Sequence, residues 1–234
     1  MSKPGAPEFD RYADQYTDLH RANVHASGEE PSYFSRYKAQ YMAARVASKI
    51  TRQPIDILDF GCGVGNSIPH LRAAFPKARL HGVDPSGESI QLAERTHASE
   101  AAFRTNHGNL LPYDDHSFDL VQVACVFHHI ELSQRDYWMG EIRRVLKPGG
   151  EVFVFEHNVL NPLTVRAVQE CPFDEDAILL PRRELLARVR AAGFGNVRSR
   201  YIVFFPAALK FLRTLEPWLQ FVPFGAQYVV HAVA

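Results

Sequence analysis

The sequence predicts an α/β fold, a doubly wound and mostly parallel sheet with helices on both faces, and three observations predict it. Apolar runs of strand length alternate with helix-period segments through most of the chain, the order that forces parallel strands with covered faces. A glycine-rich segment, Asp59-Phe60-Gly61-Cys62-Gly63-Val64-Gly65, follows the apolar run Ile55 to Leu58. A second acid, Asp84, closes the next strand, about one βαβ unit downstream. Sheets of this kind bind ligands beyond the carboxyl ends of their strands, where the glycine loop and Asp84 both fall.

Two helices open the chain, Phe9 to His20 and Ser32 to Ile50, separated by a loop, Asn23 to Pro31, that holds Ser27-Gly28. The first strand, Ile55 to Phe60, runs through the glycines into a helix over Asn66 to Phe75. Arg79 to Val83 is the second strand, and Asp84-Pro85-Ser86 is also a good helix start, so Asp84 suits a helix cap as well as a ligand. Strands follow at Ala102 to Asn106, Phe118 to Cys125 and Glu151 to Glu156, with helices between them. Leu185, Leu186, Val189 and Ala192 repeat at helical spacing within Pro181 to Ala192, and Gly193 caps that helix. Val197 to Phe205 and Gln227 to Val233 supply two closing strands. The whole reads as one domain over residues 1–234: a helical N-terminal lid over 1–50, a cofactor-binding core over 51–157, and a substrate insert with closing strands over 158–234.

Glycines at alternate positions let the main chain turn and approach a ligand with no Cβ in the way. A dinucleotide fingerprint would need glycine where Asn66 stands, and a phosphate loop would need Lys-Ser/Thr after its last glycine. Neither is present. Asp59, two residues before the first glycine, repels a pyrophosphate and attracts an ammonium group, so the loop suits a cationic ligand. Asp84 lies at the spacing where a carboxylate accepts ribose hydroxyls.

These residues resemble the class I S-adenosylmethionine-dependent methyltransferases over about Tyr37 to Phe155. Leu58 to Ser67 is similar to the family's first motif, His81 to Ser86 to the second, Gly108 to Val121 to the third and Leu146 to Val154 to the last. The resemblance implies a Rossmann-like seven-stranded sheet with its last strand antiparallel, and S-adenosyl-L-methionine as cofactor. It implies cofactor contacts from Asp59, Gly61, Cys62, Gly63 and Gly65 on the methionine side, from Asp84 at the ribose, and from Asn109 and Leu110 at the adenine; Pro85 and Cys125 are also expected at the cofactor. Many relatives carry Asp where this chain has Asn109, and an amide also accepts from the adenine amino group. From the N-terminal helices, Tyr16 and Lys38 are expected at the cofactor, Lys38 facing the methionine carboxylate.

Length and composition fit one globular enzyme: 234 residues, 46% hydrophobic and 22% charged. Twenty-six basic and 26 acidic side chains cancel, which removes the global positive field that gathers nucleic acid, so no nucleic-acid partner is expected. Cys62, Cys125 and Cys171 lie far apart without a C-x-x-C pair, which argues against a disulfide framework or a zinc site. The first eight residues lack an apolar stretch, and the longest apolar run, Tyr201 to Leu209, is broken by Pro206. A transmembrane segment is not expected, and a cytoplasmic monomer or homodimer is.

Candidate bases sit at two strand ends. His128-His129 follows the fourth strand and Glu156-His157 the fifth, so both pairs open onto one mouth. Imidazole titrates near neutral pH and suits proton removal from an acceptor. His129 and His157 are the expected catalytic residues, while His128 and Glu156 are placed on the substrate side, His128 as the more structural of its pair. A histidine after the fourth strand also commonly packs on a loop. Magnesium prefers carboxylates and water over imidazole, and Asp114, Asp115 and Asp119 read as turn residues, so no metal is expected.

The N-terminal aromatics, Tyr12 and Tyr33 among them, and the insert Asn158 to Leu180 are the candidate substrate walls, although aromatics at such spacing also form ordinary core. Glu156 to Thr164 with Cys171 to Ala177 is similar to a subset of bacterial methyltransferases associated with glycan clusters. That resemblance implies a sugar hydroxyl or glycan precursor held by His157, Asn158, Asn161 and Asp174, but Asn161-Pro162 equally starts a helix. The expected activity is O-methylation of a small molecule or glycan precursor. Its alternatives are N- or C-methylation of a small metabolite, or a cofactor-binding regulator without catalysis. At the C-terminus, Phe211, Leu215 and Trp218 are expected to pack a helix onto the sheet. Exposed, they would instead mark a dimer surface, a membrane-proximal face or a lipid-linked acceptor.

Overall fold

The computed structural model of the chain describes residues 24, 27–47, 54–106, 108, 110–171 and 177–234. The expected helix Phe9 to His20 lies outside the described residues, as do Tyr12, Tyr16, Asn109 and Asp174. Seven strands form one sheet: β1 (Asp56–Phe60), β2 (Arg79–Asp84), β3 (Ala101–Thr105), β4 (Phe118–Ala124), β5 (Leu146–His157), β6 (Gly195–Ile202) and β7 (Gln227–Val233). Their order is β3-β2-β1-β4-β5-β7-β6. Strands β1 to β5 pair parallel, and β7 runs antiparallel to both β5 and β6. The winding reverses between β1 and β4, so a crevice opens beyond their carboxyl ends.

Side chains alternate across the central strands, because successive Cβ atoms of a strand point to opposite faces. On β1, Leu58 and Phe60 join one apolar layer while Ile57 joins the other; on β5, Val152 and Val154 oppose Phe153 and Phe155. One face is covered by α1 (Pro31–Val46), α2 (Ile68–Ala74) and α3 (Gly87–His97), through Met42, Val46, Leu71 and Ile90. The other is covered by α4 (Arg135–Val145) and, after α5 (Pro162–Gln169), by α6 (Arg182–Ala191), through Met139, Ile142, Leu185 and Val189. Asp119, expected as a turn residue, instead accepts the Asp56 N–H at 2.8 Å and pairs with Lys147 at 2.7 Å. That bond joins β1 to β4 at the end of the sheet remote from the crevice.

Two expected elements differ. Strand β6 stops at Ile202 rather than Phe205, because Val203 takes φ 60°, a conformation that a β-branched residue adopts only under strain. The chain then leaves the sheet, turns at Pro206, and forms 3₁₀ turns over Ala207–Leu215 and the short α7 (Glu216–Leu219). No helix packs on the sheet there: Phe211 is 69% and Trp218 79% exposed. Prolines 206, 217 and 223 interrupt the segment too often for a sustained apolar stripe. Among the described residues, no helix is long and apolar enough to cross a membrane.

Gly65 also departs from its expected role. It has φ +83°, and a Cβ there would lie 2.9 Å from the His97 ring and 3.4 Å from the Ala93 Cβ, both on α3. Its bareness serves the close approach of the loop to α3, and it does not line the cavity described below. Gly65→Ala is therefore expected to lower stability by about 1–3 kcal/mol in a urea melt. An unchanged midpoint would contradict this role.

Candidate functional site

A cavity of about 800 Å³ occupies the crevice, walled by the loops after β1, β2, β4 and β5, by α1 and α5, and by residues 203–206. Its size suits a nucleoside with a small second molecule beside it. Asp84 ties its floor together. One carboxylate oxygen accepts the Gly63 N–H at 2.8 Å and the other the Ser86 N–H at 2.9 Å. The glycine loop is thereby fastened to the end of β2, while Gly61 and Cys62 donate to the Val83 carbonyl at 2.8 and 3.1 Å. Ser86, not Asp84, caps α3 by accepting from Ser89 N–H, and Asp84 lines the cavity. A Cβ on Gly63 would meet nothing within 4 Å, so the loop offers bare main chain to a ligand.

Asp59 stands behind that loop, 2% exposed. Gln122 Nε2 donates to its Oδ1 at 3.0 Å, and its Oδ2 has no hydrogen-bond partner in range. Burial pushes its carboxyl up to about 7; Gln122, the Lys38 charge and the nearby Ser67 hydroxyl oppose that rise, and Asp84 adds to it. Gln122 was not singled out from the sequence, although a lone amide between Val121 and Val123 in a strand was a legible signal. Lys38 on α1 is the opposite charge. Its ammonium is buried, donates to the soft Cys125 Sγ at 3.6 Å, and lies 6.0 Å from the Phe155 ring centre. Cys125, directly after β4, has φ 59° and a thiol that burial pushes up, despite Lys38. Strain of this kind collects where a structure holds a chain for a ligand, and Cys125 and Val203 both line the cavity.

Three imidazoles gather on the β4 and β5 side. The His128 ring centre is 4.2 Å from that of His129 and 5.0 Å from that of His157, and all three line the cavity. Beneath them Glu156 is wholly buried. It accepts the Val126 and Phe127 N–H groups at 3.1 and 2.8 Å on one oxygen and meets His128 Nδ1 at 2.6 Å with the other. Burial alone would raise its carboxyl, but the charge and hydrogen bond of His128, then His157 and the Phe127 N–H, hold it below the usual range. An ionised Glu156 only accepts, so Nδ1 of His128 carries the hydrogen.

Several expected contacts are thereby corrected. Glu156 does not line the cavity; it orients the loop after β4 and His128. Asn158 is 2% exposed, with its amide donating to the Pro223 and Gly225 carbonyls and its oxygen accepting from Leu160 N–H. Asn161 borders the cavity, but it caps α5 through Leu163 and Thr164 N–H and donates to the Phe224 carbonyl. These side chains hold the C-terminal segment instead of a substrate. Leu110 is 59% exposed and outside the cavity wall, because Glu141 holds the Leu111 N–H at 2.9 Å and draws Leu111 into the core in its place. Gly61, Cys62, Gly63, Pro85 and Tyr33 do line the cavity.

The sequence reading missed Phe204 and Phe205, which border the cavity where β6 was expected to continue. Their N–H groups donate to Glu216 Oε1 at 3.0 and 3.3 Å, and Tyr37 donates to its other oxygen at 3.5 Å. Arg213 stacks 4.4 Å from the Tyr33 ring and pairs with Glu29. The lid helix α1 and the C-terminal segment are thus bound to each other at the cavity wall.

A family profile described as a methyltransferase domain matches residues 57–150. A demethylmenaquinone methyltransferase of Thermotoga maritima is 29% identical over 158 residues, 68% of this chain. Those residues span 62% of that relative, less than two thirds of its length. The putative methyltransferase of Haloferax volcanii, solved with the Trm112 methyltransferase activator, aligns with a TM-score of 0.66 at 23% identity over 97% of both chains. A phosphoethanolamine N-methyltransferase of Haemonchus contortus, solved with S-adenosyl-L-methionine, gives 0.62 at 16% identity over 99% of this chain and 61% of that one. At these identities the solved structures share the fold.

The residues present fit S-adenosyl-L-methionine. Asp59 with its unmatched oxygen and Lys38 with its weak acceptor put a buried carboxyl and a buried ammonium on the cavity wall, the two groups that an amino-acid zwitterion requires. Gly63 leaves room for a ligand, and Asp84 offers acceptors for hydroxyls.

In the free protein, a carboxyl protonated up to about pH 7 but ionised above about 4 when unfolded stabilises the fold at the acid end. That contribution is lost as pH rises through 7. An ammonium on the ligand favours the ionised form, so affinity for S-adenosylhomocysteine is expected to fall by up to about tenfold per pH unit below 7, with proton uptake by the protein opposing binding. Calorimetry in buffers of different ionisation enthalpy measures this. Asp59→Asn should flatten the profile, and an equally steep profile in that variant would contradict the assignment.

Proposed function

We propose that the chain, whose residues 57–150 match a methyltransferase domain and whose sheet is that of a methyltransferase fold, uses S-adenosylmethionine to methylate a hydroxyl on a small, largely apolar acceptor. The observation that carries this reading is the imidazole group on the cavity wall, backed by a buried carboxylate. Bound in the cavity, the cofactor supplies an electrophilic methyl group on a sulfonium. The chain has to place an acceptor in line, exclude water and take away a proton.

Exclusion and alignment fall to α1 with Tyr33 and to Phe204 and Phe205, which line the cavity together with the glycine loop. Such positioning contributes up to about 7–11 kcal/mol in favourable cases. As the acceptor oxygen forms its bond to carbon, its proton must leave, and a ring nitrogen of His129 or His157 takes it. His129 is the first choice. His128 is fixed by Glu156 and stands between the other two rings, so it is a positioning residue. A polyhydroxylated sugar finds less support, since Asn158, Asn161 and Glu156 are engaged by the protein itself.

With S-adenosylmethionine and a panel of apolar phenols and alcohols, His129→Ala and His157→Ala test the proton step. At least one is expected to lower kcat by about 10²–10⁴-fold, while S-adenosylhomocysteine binds within about threefold of wild type. Turnover within about threefold in both variants, or transfer to amines alone, would contradict this reading.

A further inference from the structure

The exposed aromatic segment has no role in the chemistry above. Leu160, Leu163, Phe211, Trp218, Phe221 and Phe224 are each more than half exposed. Leu160 and Leu163 are brought to Phe221 and Phe224, because Asn158 and Asn161, flanking Leu160, donate to the carbonyls of Pro223, Gly225 and Phe224, and Phe211 and Trp218 stand out from the same C-terminal segment. That neighbourhood adjoins the cavity: Leu163 lines it, as do Arg166 and Glu170, an ion pair whose side chains are 74% and 63% exposed. The cavity therefore meets the surface at α5, beside the apolar rim. Such a cluster beside an opening marks an interaction surface, since single exposed apolar residues are ordinary and contiguous ones are not.

Charge selects the partner. Between Val203 and Ala226 the acid is Glu216, and it is buried against Phe204, Phe205 and Tyr37. Lys210 belongs to the same segment, Arg200 lies 4.3 Å from the Phe221 ring, and Arg213 is already paired with Glu29. Protruding Trp, Phe and Leu side chains, with cations among them and no carboxylate turned outward in the segment, match the interface of an anionic bilayer. A second copy seated on the same rim would cover the opening at α5, whereas a bilayer would supply acceptor through it.

We infer that this rim docks on an anionic lipid bilayer and that the acceptor is a lipid-borne hydroxyl compound drawn from that bilayer into the cavity. The second clause rests on the methyl transfer proposed above; the first does not.

The test uses the full chain with vesicles of phosphatidylglycerol and phosphatidylcholine in equal parts. Trp138 and Trp218 are its two tryptophans, and Trp138 is buried, so a blue shift on vesicle addition reports Trp218. Binding is expected to be at least about tenfold stronger than to phosphatidylcholine alone. The Phe211→Ser, Phe224→Ser double variant is expected to weaken it by about tenfold or more, with S-adenosylhomocysteine affinity and melting temperature unchanged. Wild type should methylate a long-chain alkyl phenol embedded in the vesicles about tenfold faster than the double variant does, and a short-chain phenol in water at the same rate. Retained vesicle binding in the variant would overturn the inference, as would no binding in wild type. So would a dimer in sedimentation whose Trp218 is already shielded without lipid. In each of these cases, normal S-adenosylhomocysteine binding leaves the methyltransferase reading standing; its loss in wild type would remove that reading and leave the vesicle result to decide docking alone.

Discussion

The clasp of Asp84 on Gly63 and Ser86 is the contact on which the site depends. One carboxylate engages two main-chain N–H groups from successive crossover loops, so the bend after β1 and the start of α3 hold one geometry. A carboxylate accepting two N–H donors is a charge-assisted arrangement, stronger than neutral pairs. It fixes bare backbone at Gly63 toward the cavity. Around it the sheet does the positioning: β1, β2, β4 and β5 end together because they run parallel, and their loops converge on one crevice.

Two charge pairs divide the cavity's work. Asp59 and Lys38 are held apart from water, each with an incompletely matched group; a zwitterion entering between them would satisfy both. Glu156 and His128 are the opposite case, a buried pair matched by backbone donors as well as by each other. Breaking such a pair leaves a stranded charge, which is costly. Its consequence is rigidity, since the loop bearing His129 is tied to the end of β5. The Ile178 N–H adds a bond to the His128 carbonyl at 2.8 Å, and Arg135 holds the Ile130 and Ile178 carbonyls at 2.9 and 2.7 Å.

What could be read from sequence follows how local each interaction is. Glycine spacing, the acids at strand ends and the strand alternation are properties of a few adjacent residues, and Asp59, Gly61, Gly63, Asp84 and the histidines all fall at the crevice. Gly65 looked the same as its neighbours because contact with His97 is not a property of the loop's own sequence. Asn158 and Asn161 resembled sugar-binding groups because their partners lie more than sixty residues away, near 223–225. Leu110 and Leu111 exchanged roles for a similar reason, Glu141 deciding which faces inward. For the C-terminal aromatics, composition could not distinguish a packed stripe from an exposed rim; the prolines and the strained Val203 settle it by taking the chain off the sheet.

The most direct measurement is a crystal structure with S-adenosylhomocysteine. The account predicts its amino-acid end between Asp59 and Lys38, its ribose against Asp84, and its sulfur directed toward the side of the cavity that holds His128, His129 and His157. A ligand turned the other way, or bound outside the glycine loop and away from Asp84, would contradict it.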